Sequence, residues 1–160
     1  MKNLKNSLNH TYKKSYRSFI GDLTMESDGE SITRLDFDTY GGQDDSLEVF
    51  DMAEKWLDDY FDGKNPQVSF SLNPQCSEFS KSVWQILMTI PYGSTLTYGK
   101  IASRLSPTMA PQAVGGAVGR NPIAIIIPCH RVIGANGKLT GYSAGIDKKI
   151  KLLTLENVLK

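Results

Sequence analysis

The chain has 160 residues and a mass of 17.7 kDa, with 40% apolar and 22% charged side chains. That suits one domain or two small ones packed together, with enough apolar surface for a core that needs no disulfide scaffold. The longest apolar run, Ile123 to Ile127, is far too short to span a bilayer, and Lys2, Lys5, Lys13, Lys14 and Arg17 flank no stretch resembling a secretory signal. A soluble, cytoplasmic protein without membrane association is expected. The net charge of +1 conceals a division. Residues 1–90 hold 9 Lys and Arg against 15 Asp and Glu, net −6, whereas residues 91–160 hold 9 against 2, net +7. A basic second half suits nucleic acid or another anionic partner, and equally suits attraction to an acidic first half.

In chain order, residues 1–15 read as a polar lead-in. Ser18–Leu23 and Ile32–Phe37 are short β-prone runs, and Glu26-Ser27-Asp28-Gly29-Glu30 between them predicts a hairpin. Gly41-Gly42 and Asp44-Asp45-Ser46 then break the chain and start a helix. Its Leu47, Phe50, Ala53, Leu57 and Phe61 recur at helical spacing, and Gly63 marks the stop. Residues 63–75 carry Pro66, Pro74 and little periodicity, which reads as a linker and divides the chain into domains 1–75 and 76–160.

Ser77 can cap a helix with Phe79, Val83, Ile86, Leu87 and Ile90 on one face, ended by Pro91-Tyr92-Gly93. Thr97 can cap a second helix over 98–105, and a third, built from small residues, covers 111–119. Two short helices separated by a tight break fit a helix-turn-helix, a weak sign that the basic surroundings strengthen. The stretch from Pro122 to Pro128 favours an extended or turning chain, and Asn136-Gly137 predicts a hairpin turn. A last helix over 146–159 would turn Ile150, Leu153 and Val158 inward and leave Lys148, Lys149 and Lys151 in water.

The chain has two cysteines, Cys76 and Cys129, and two histidines, His10 and His130. No metal-ligand spacing joins them, so neither a metal site nor a disulfide framework is expected, and Cys76 reads as inert. A free cysteine is commonly a small core residue. Cys129, however, leaves an apolar run just where His130 and Arg131 bring polarity, and a neighbouring imidazole or cation raises the thiolate fraction. The Cys-His dipeptide alone leaves both readings open.

The wider string says more. Asn121-Pro122 is followed by Pro128-Cys129-His130-Arg131-Val132. Upstream lie Pro91-Tyr92-Gly93, Thr97-Tyr98 and Ala113-Val114-Gly115-Gly116-Ala117-Val118; downstream lie Gly141-Tyr142-Ser143-Ala144-Gly145 and Glu156. Together they resemble the signature of the O6-alkylguanine-DNA alkyltransferases, the methylated-DNA–protein-cysteine methyltransferases. The resemblance covers nearly all of residues 77–158, and residues 1–75 resemble, more weakly, the family's variable N-terminal domain. It implies an α+β chain: a small N-terminal α/β domain with an antiparallel sheet, then a mostly helical, winged-helix or helix-turn-helix-like domain.

The resemblance further implies DNA repair by irreversible, single-turnover transfer of an alkyl group from O6 of guanine in double-stranded DNA to Cys129. The nucleotide must be flipped out first, because the alkyl group is out of reach inside the duplex. A monomer without a cofactor is implied. His130 resembles the base that takes the thiol proton, and Glu156 the carboxylate that orients it. Tyr98 resembles the hydroxyl that donates toward guanine N3, and Asn121 the amide that holds the active-site turn. Val132, Tyr142 and Ser143 resemble the guanine pocket. The helix ending at Gly119 resembles a minor-groove reader, with Gln112, Ala113, Gly115, Arg120 and Arg131 toward DNA. Two positions depart from the familiar pattern. Gln112 stands where an arginine usually fills the gap left by the flipped base, and Ala124 stands where many members carry proline. Two other readings compete: a non-catalytic alkyltransferase-like lesion binder, disfavoured by the presence of Cys129, and a helix-turn-helix regulator, disfavoured by the lack of room for further domains.

Overall fold

A computed structural model describes residues 10–160; the first part of the expected lead-in, residues 1–9, lies outside them. The chain forms two compact units, the first ending at Gln75 and the second beginning at Cys76.

The first unit is a three-stranded antiparallel sheet, β1 (Tyr12–Ser18), β2 (Gly21–Ser27) and β3 (Ile32–Asp36), with helix α1 (Glu48–Phe61) against it. Leu23, Met25, Ile32 and Leu35 from the sheet and Phe50, Ala53, Leu57 and Tyr60 from α1 are buried and form its core. The start of the unit corrects the sequence reading. Residues 12–15 are strand, and the run Ser18–Leu23 contains the two-residue turn Phe19-Ile20 that joins β1 to β2. The polar run of β1 conceals it because it is an edge strand whose outer groups bond to carboxylates. Lys13 N–H donates to Asp45 and Ser15 N–H to Asp44, both at 2.9 Å, and Asp45 N–H returns a bond to the Lys13 carbonyl at 2.8 Å. This is the kind of edge protection that natural sheets require. Asp44 and Asp45 therefore clasp the sheet rather than start α1, whose N-cap Leu47 makes no side-chain capping bond. The supposed linker is also engaged. Ile32 N–H donates to the Ser71 carbonyl (2.9 Å), Asn73 N–H to the Ile32 carbonyl (2.8 Å), and Trp56 Nε1 to the Pro66 carbonyl (3.1 Å).

In the second unit Ser77 Oγ accepts from Ser80 N–H and caps α2 (Glu78–Leu87), while Thr97 Oγ1 accepts from Lys100 N–H and caps α3 (Tyr98–Leu105), both at 3.1 Å. Helix α4 (Pro111–Gly119) has proline at its first position, where the missing N–H costs nothing. Trp84 Nε1 of α2 donates to the Ala117 carbonyl of α4 (2.9 Å) inside the core. Two short strands, β4 (Leu96–Thr97) and β5 (Val132–Ile133), pair in parallel. That pairing fixes the layout of the unit, since β4 leads directly into Tyr98 and β5 directly follows the turn carrying Cys129.

The run Ile123–Ile127 turns rather than extends, with Ile125 at φ 71° and Ile127 N–H bonded to the Ile123 carbonyl (3.1 Å). The Asn136-Gly137 turn forms, but no described strand follows it, so the expected hairpin is a loop. Helix α5 (Ile146–Leu155) is partly rotated from expectation: Leu153 is buried as expected, but so are Lys149, Leu152 and, just past the helix end, Glu156, while Ile150 is 40% exposed. Among the described residues no helix is long and apolar enough to cross a membrane. The α+β class expected from the sequence is what the structure has.

Candidate active site

Asn121 organises the turn that carries Cys129. Its Nδ2 donates to the carbonyls of Ile127 (2.8 Å) and Ile123 (3.3 Å), and its Oδ1 accepts from Ile123 N–H (3.0 Å). Cys129 N–H also donates to the Ile127 carbonyl (2.7 Å). These bonds close a loop around Ile125, a buried β-branched residue whose positive φ costs roughly 1–3 kcal/mol. The Asn121 amide is what over-determines that strained backbone.

The turn exposes Cys129 to a cavity of about 340 Å³ lined also by Tyr98, Gly115, Val118, Gly119, Gly141, Tyr142 and Ser143. The Tyr98 hydroxyl donates to the Thr140 carbonyl across 3.5 Å. Burial pushes its pKa up, with the Thr140 contact acting against that, so the hydroxyl keeps its proton at neutral pH. Val132 N–H donates to the Cys129 carbonyl, and the Val132 carbonyl accepts from Lys149 Nζ at 2.6 Å. A carbonyl can accept more than one hydrogen bond, so those of Cys129 and Val132 suit an amine donor.

His130, in the same 3-10 turn, is fully buried with Nε2 2.6 Å from Glu156 Oε2. Arg131 Nε donates to Glu156 Oε1 (2.8 Å), its Nη2 to Oε2 (3.2 Å), and its Nη1 to the Ile90 carbonyl (2.7 Å). Gly93 N–H donates to Oε1 as well, at 3.2 Å. A carboxylate paired bidentately with a guanidinium only accepts, so Nε2 carries the imidazole proton and Nδ1 is the basic nitrogen. Burial pushes the His130 pKa down; Glu156 opposes this, and Arg131 and Lys149 add to it. The resting imidazole is neutral. Burial pushes the Cys129 thiol up, while the Asn121 side chain, the Lys149 ammonium and the Tyr142 hydroxyl pull it down. The resting sulfur is a thiol with a neutral base in the adjacent residue, and forming the nucleophilic thiolate requires that proton to move.

The structure brings Cys129, Tyr98, Tyr142, Ser143 and Gly115 together at the cavity and sets His130 and Glu156 in contact with each other. Gln112 and Ala113 lie exposed on the first turn of α4, and Arg120 lies exposed at its end. Arg120 folds back over Gly116, its Nη1 only 3.1 Å from where a Cβ would stand. Arg131 corrects the sequence reading: its guanidinium is buried against Glu156 and Ile90, so it serves the interior and is not free for a phosphate. Sequence reasoning also missed Gly93 and Lys149. Gly93 has φ 81°, and a Cβ there would lie 3.3 Å from the Glu156 carbonyl. The signal for Lys149 was its place in the stripe 149, 152, 153 and 156, the i, i+3, i+4, i+7 spacing of a buried helix face.

Residues 78–158 match the family model described as 6-O-methylguanine DNA methyltransferase, DNA binding domain, and residues 11–74 match the ribonuclease-like domain of the same family. The chain belongs to the O6-methylguanine-DNA methyltransferase family. It is 44% identical over 152 residues to the methylated-DNA–protein-cysteine methyltransferase of Methanosarcina acetivorans, covering 91% of this chain and 97% of that one. The Haemophilus influenzae protein of the same name is 42% identical over 160 residues, covering 95% and 88%. Among solved structures, the Mycobacterium tuberculosis O6-methylguanine methyltransferase aligns with a TM-score of 0.82 at 42% identity, covering 92% of this chain and 93% of that one. The M. tuberculosis OGT in complex with DNA aligns with the same TM-score and identity, covering 91% and 92%. The family read from the spaced motifs is thus the family found.

The buried neutral imidazole has a consequence for stability. The pKa of His130 in the folded state lies below the ordinary value of about 6.5, so the unfolded chain binds the extra proton first. This contribution to stability is complete above about pH 6.5 and is lost as the pH falls below it. The urea midpoint is expected to drop between pH 7.5 and 5.5, and to drop less in His130→Gln. Equal drops in both proteins would contradict the burial of a neutral ring.

Proposed function

We propose that the chain repairs double-stranded DNA by direct reversal, acting as a monomer that moves the alkyl group of O6-alkylguanine onto Cys129 in a single turnover. The observation that carries this is a buried thiol lining a cavity, adjacent in the chain to an imidazole whose far nitrogen is fixed by a carboxylate. The reaction is a displacement at carbon. The S–C bond forms as the C–O6 bond breaks, and the bonding pair of C–O6 passes into the guanine ring. The thiol proton passes through a water to His130 Nδ1, and Glu156 stabilises the imidazolium. The Tyr98 hydroxyl supports the departing base by donating toward N3. Overall, a thiol and an O6-alkylguanine become a thioether and a guanine, so the proton lost by sulfur is balanced by the one guanine gains.

Reaching the alkyl group requires the nucleotide to leave the stack, at a cost of a few kcal/mol. The basic second half of the chain supplies charge for phosphate contacts that carry no sequence preference, which suits a search for damage. Helix α4 presents Gln112, Ala113 and Arg120 outward, and the small residues Gly115 and Gly119 lie at the cavity. The carbonyls of Cys129 and Val132 suit acceptance from the exocyclic amine of guanine.

Intact-protein mass after incubation with a duplex containing one O6-methylguanine tests the transfer. A gain of one methylene's mass is expected in the wild type and none in Cys129→Ala; tight lesion-selective binding without a mass change would make the protein a lesion binder instead. Gln112 is expected to fill the vacated stack less well than a cation would. Gln112→Arg should therefore transfer faster from duplex DNA than the wild type, with little change toward the free base O6-benzylguanine. An unchanged duplex rate would remove Gln112 from the flipping step.

A further inference from the structure

Besides the Cys129 thiol, four charged or titratable side chains are buried in the second unit: His130, Arg131, Lys149 and Glu156. Three of them satisfy one another. Lys149 stands apart, fully buried at 0% exposure, and its ammonium spends its three donors on main-chain carbonyls of Val132 (2.6 Å), Thr140 (3.1 Å) and Gly141 (3.2 Å). No ion pair with a carboxylate is found for it among the described residues. Burying an ammonium without a counter-charge is costly, and a Leu or Met would fill this place in the α5 stripe more cheaply. The carbonyls it binds come from two segments, β5 and the chain from Thr140, which are also joined where Gly134 N–H donates to the Lys138 carbonyl at 2.8 Å. Val132 belongs to β5, three residues after Cys129. Thr140 and Gly141 begin the wall that brings Tyr142 and Ser143 to the cavity, and the Thr140 carbonyl also receives the Tyr98 hydroxyl.

We propose that Lys149 is a positioning residue for alkyl transfer. Its ammonium ties the Thr140–Gly141 wall to β5, so that Tyr142 and Ser143 are held at the cavity opposite the sulfur, and it is the buried cation left over to balance a thiolate at Cys129. The proposal rests on the transfer reading above and adds a residue that the family motifs of this sequence do not include. The groups acting on the sulfur are Asn121, Tyr142, Tyr98 and Lys149, with His130, Glu156 and Arg131 in the adjoining cluster. Among these Lys149 brings a positive charge not already paired with a carboxylate. Burial pushes its own pKa down, and a charge on Cys129 would pull it back up. Transfer converts the sulfur into a neutral thioether, so the balancing partner of Lys149 exists only before the alkyl group arrives.

Two variants in a Cys76→Ser background test this, since Cys76 is exposed and would otherwise react. Lys149→Met keeps length and removes charge and donors; Lys149→Arg keeps both. Two readouts are needed: the single-turnover rate of methyl transfer from an O6-methylguanine duplex, and the pH midpoint of Cys129 labelling by iodoacetamide, which requires no DNA. Lys149→Met is expected to bind undamaged duplex as the wild type does, to transfer about tenfold more slowly or worse, and to label with its midpoint moved to higher pH. Lys149→Arg is expected to keep the wild-type labelling midpoint. A Met variant with the wild-type rate and midpoint would overturn the proposal. Should Lys149→Met fail to fold, the Arg variant decides: an unmoved midpoint supports the role of the charge, and a raised one overturns it. If the wild type itself takes no methyl group, the transfer reading fails, while the labelling midpoints still test Lys149.

Discussion

One buried carboxylate holds the second unit in its working form. Glu156 accepts from His130 Nε2, from two nitrogens of Arg131 and from the Gly93 N–H. These donors come from the active-site turn and from the loop after α2, while Glu156 itself sits at the end of α5. A carboxylate with no solvent exposure is tolerable only when paired and fully hydrogen-bonded, and removing either partner of such a pair usually costs about 3–5 kcal/mol. The same group does structural and chemical work. It anchors the last helix, fixes the tautomer of His130 and, in the proposed transfer, stabilises the imidazolium that holds the sulfur's proton.

The rest of the site answers a different constraint, that a thiol must be buried yet reachable. Asn121 and the strained backbone at Ile125 turn the chain so that Cys129 emerges at the cavity rather than in the core. Parallel pairing of β4 with β5 brings Tyr98 to the same place, and Lys149 ties down the wall on the far side. Burial keeps the thiol neutral at rest, which protects a group that can react only once. In the proposed reaction its activation falls to a proton transfer toward His130, whose own bond to Glu156 is already made.

Much of this was legible in the sequence where local chemistry and periodicity agree. Ser77 and Thr97 cap the helices they precede, Pro111 opens α4, and the spaced motifs from Pro91 to Glu156 identify the family. Three of the misreadings share a physical cause: they fall where long-range polar contacts override local pattern. The strand β1 looks polar because Asp44 and Asp45, about thirty residues away, satisfy its edge. In helix α5, Lys149 and Ile150 are the reverse of expectation because Lys149 and Glu156 occupy its buried stripe, and hydrophobicity alone cannot show that three carbonyls and an imidazole wait for them. Arg131 was expected toward DNA for the same reason; its partner is 25 residues further along the chain.

The dependence on Glu156 is tested most directly by the single-turnover rate of methyl transfer from an O6-methylguanine duplex in Glu156→Gln, beside its affinity for the same duplex. An amide of the same shape can no longer stabilise an imidazolium or neutralise Arg131. The rate is expected to fall by about a hundredfold or more, within the range that a positioned base contributes, with lesion binding largely kept. A rate within a few-fold of the wild type, in a variant that still folds, would contradict the role given to this carboxylate.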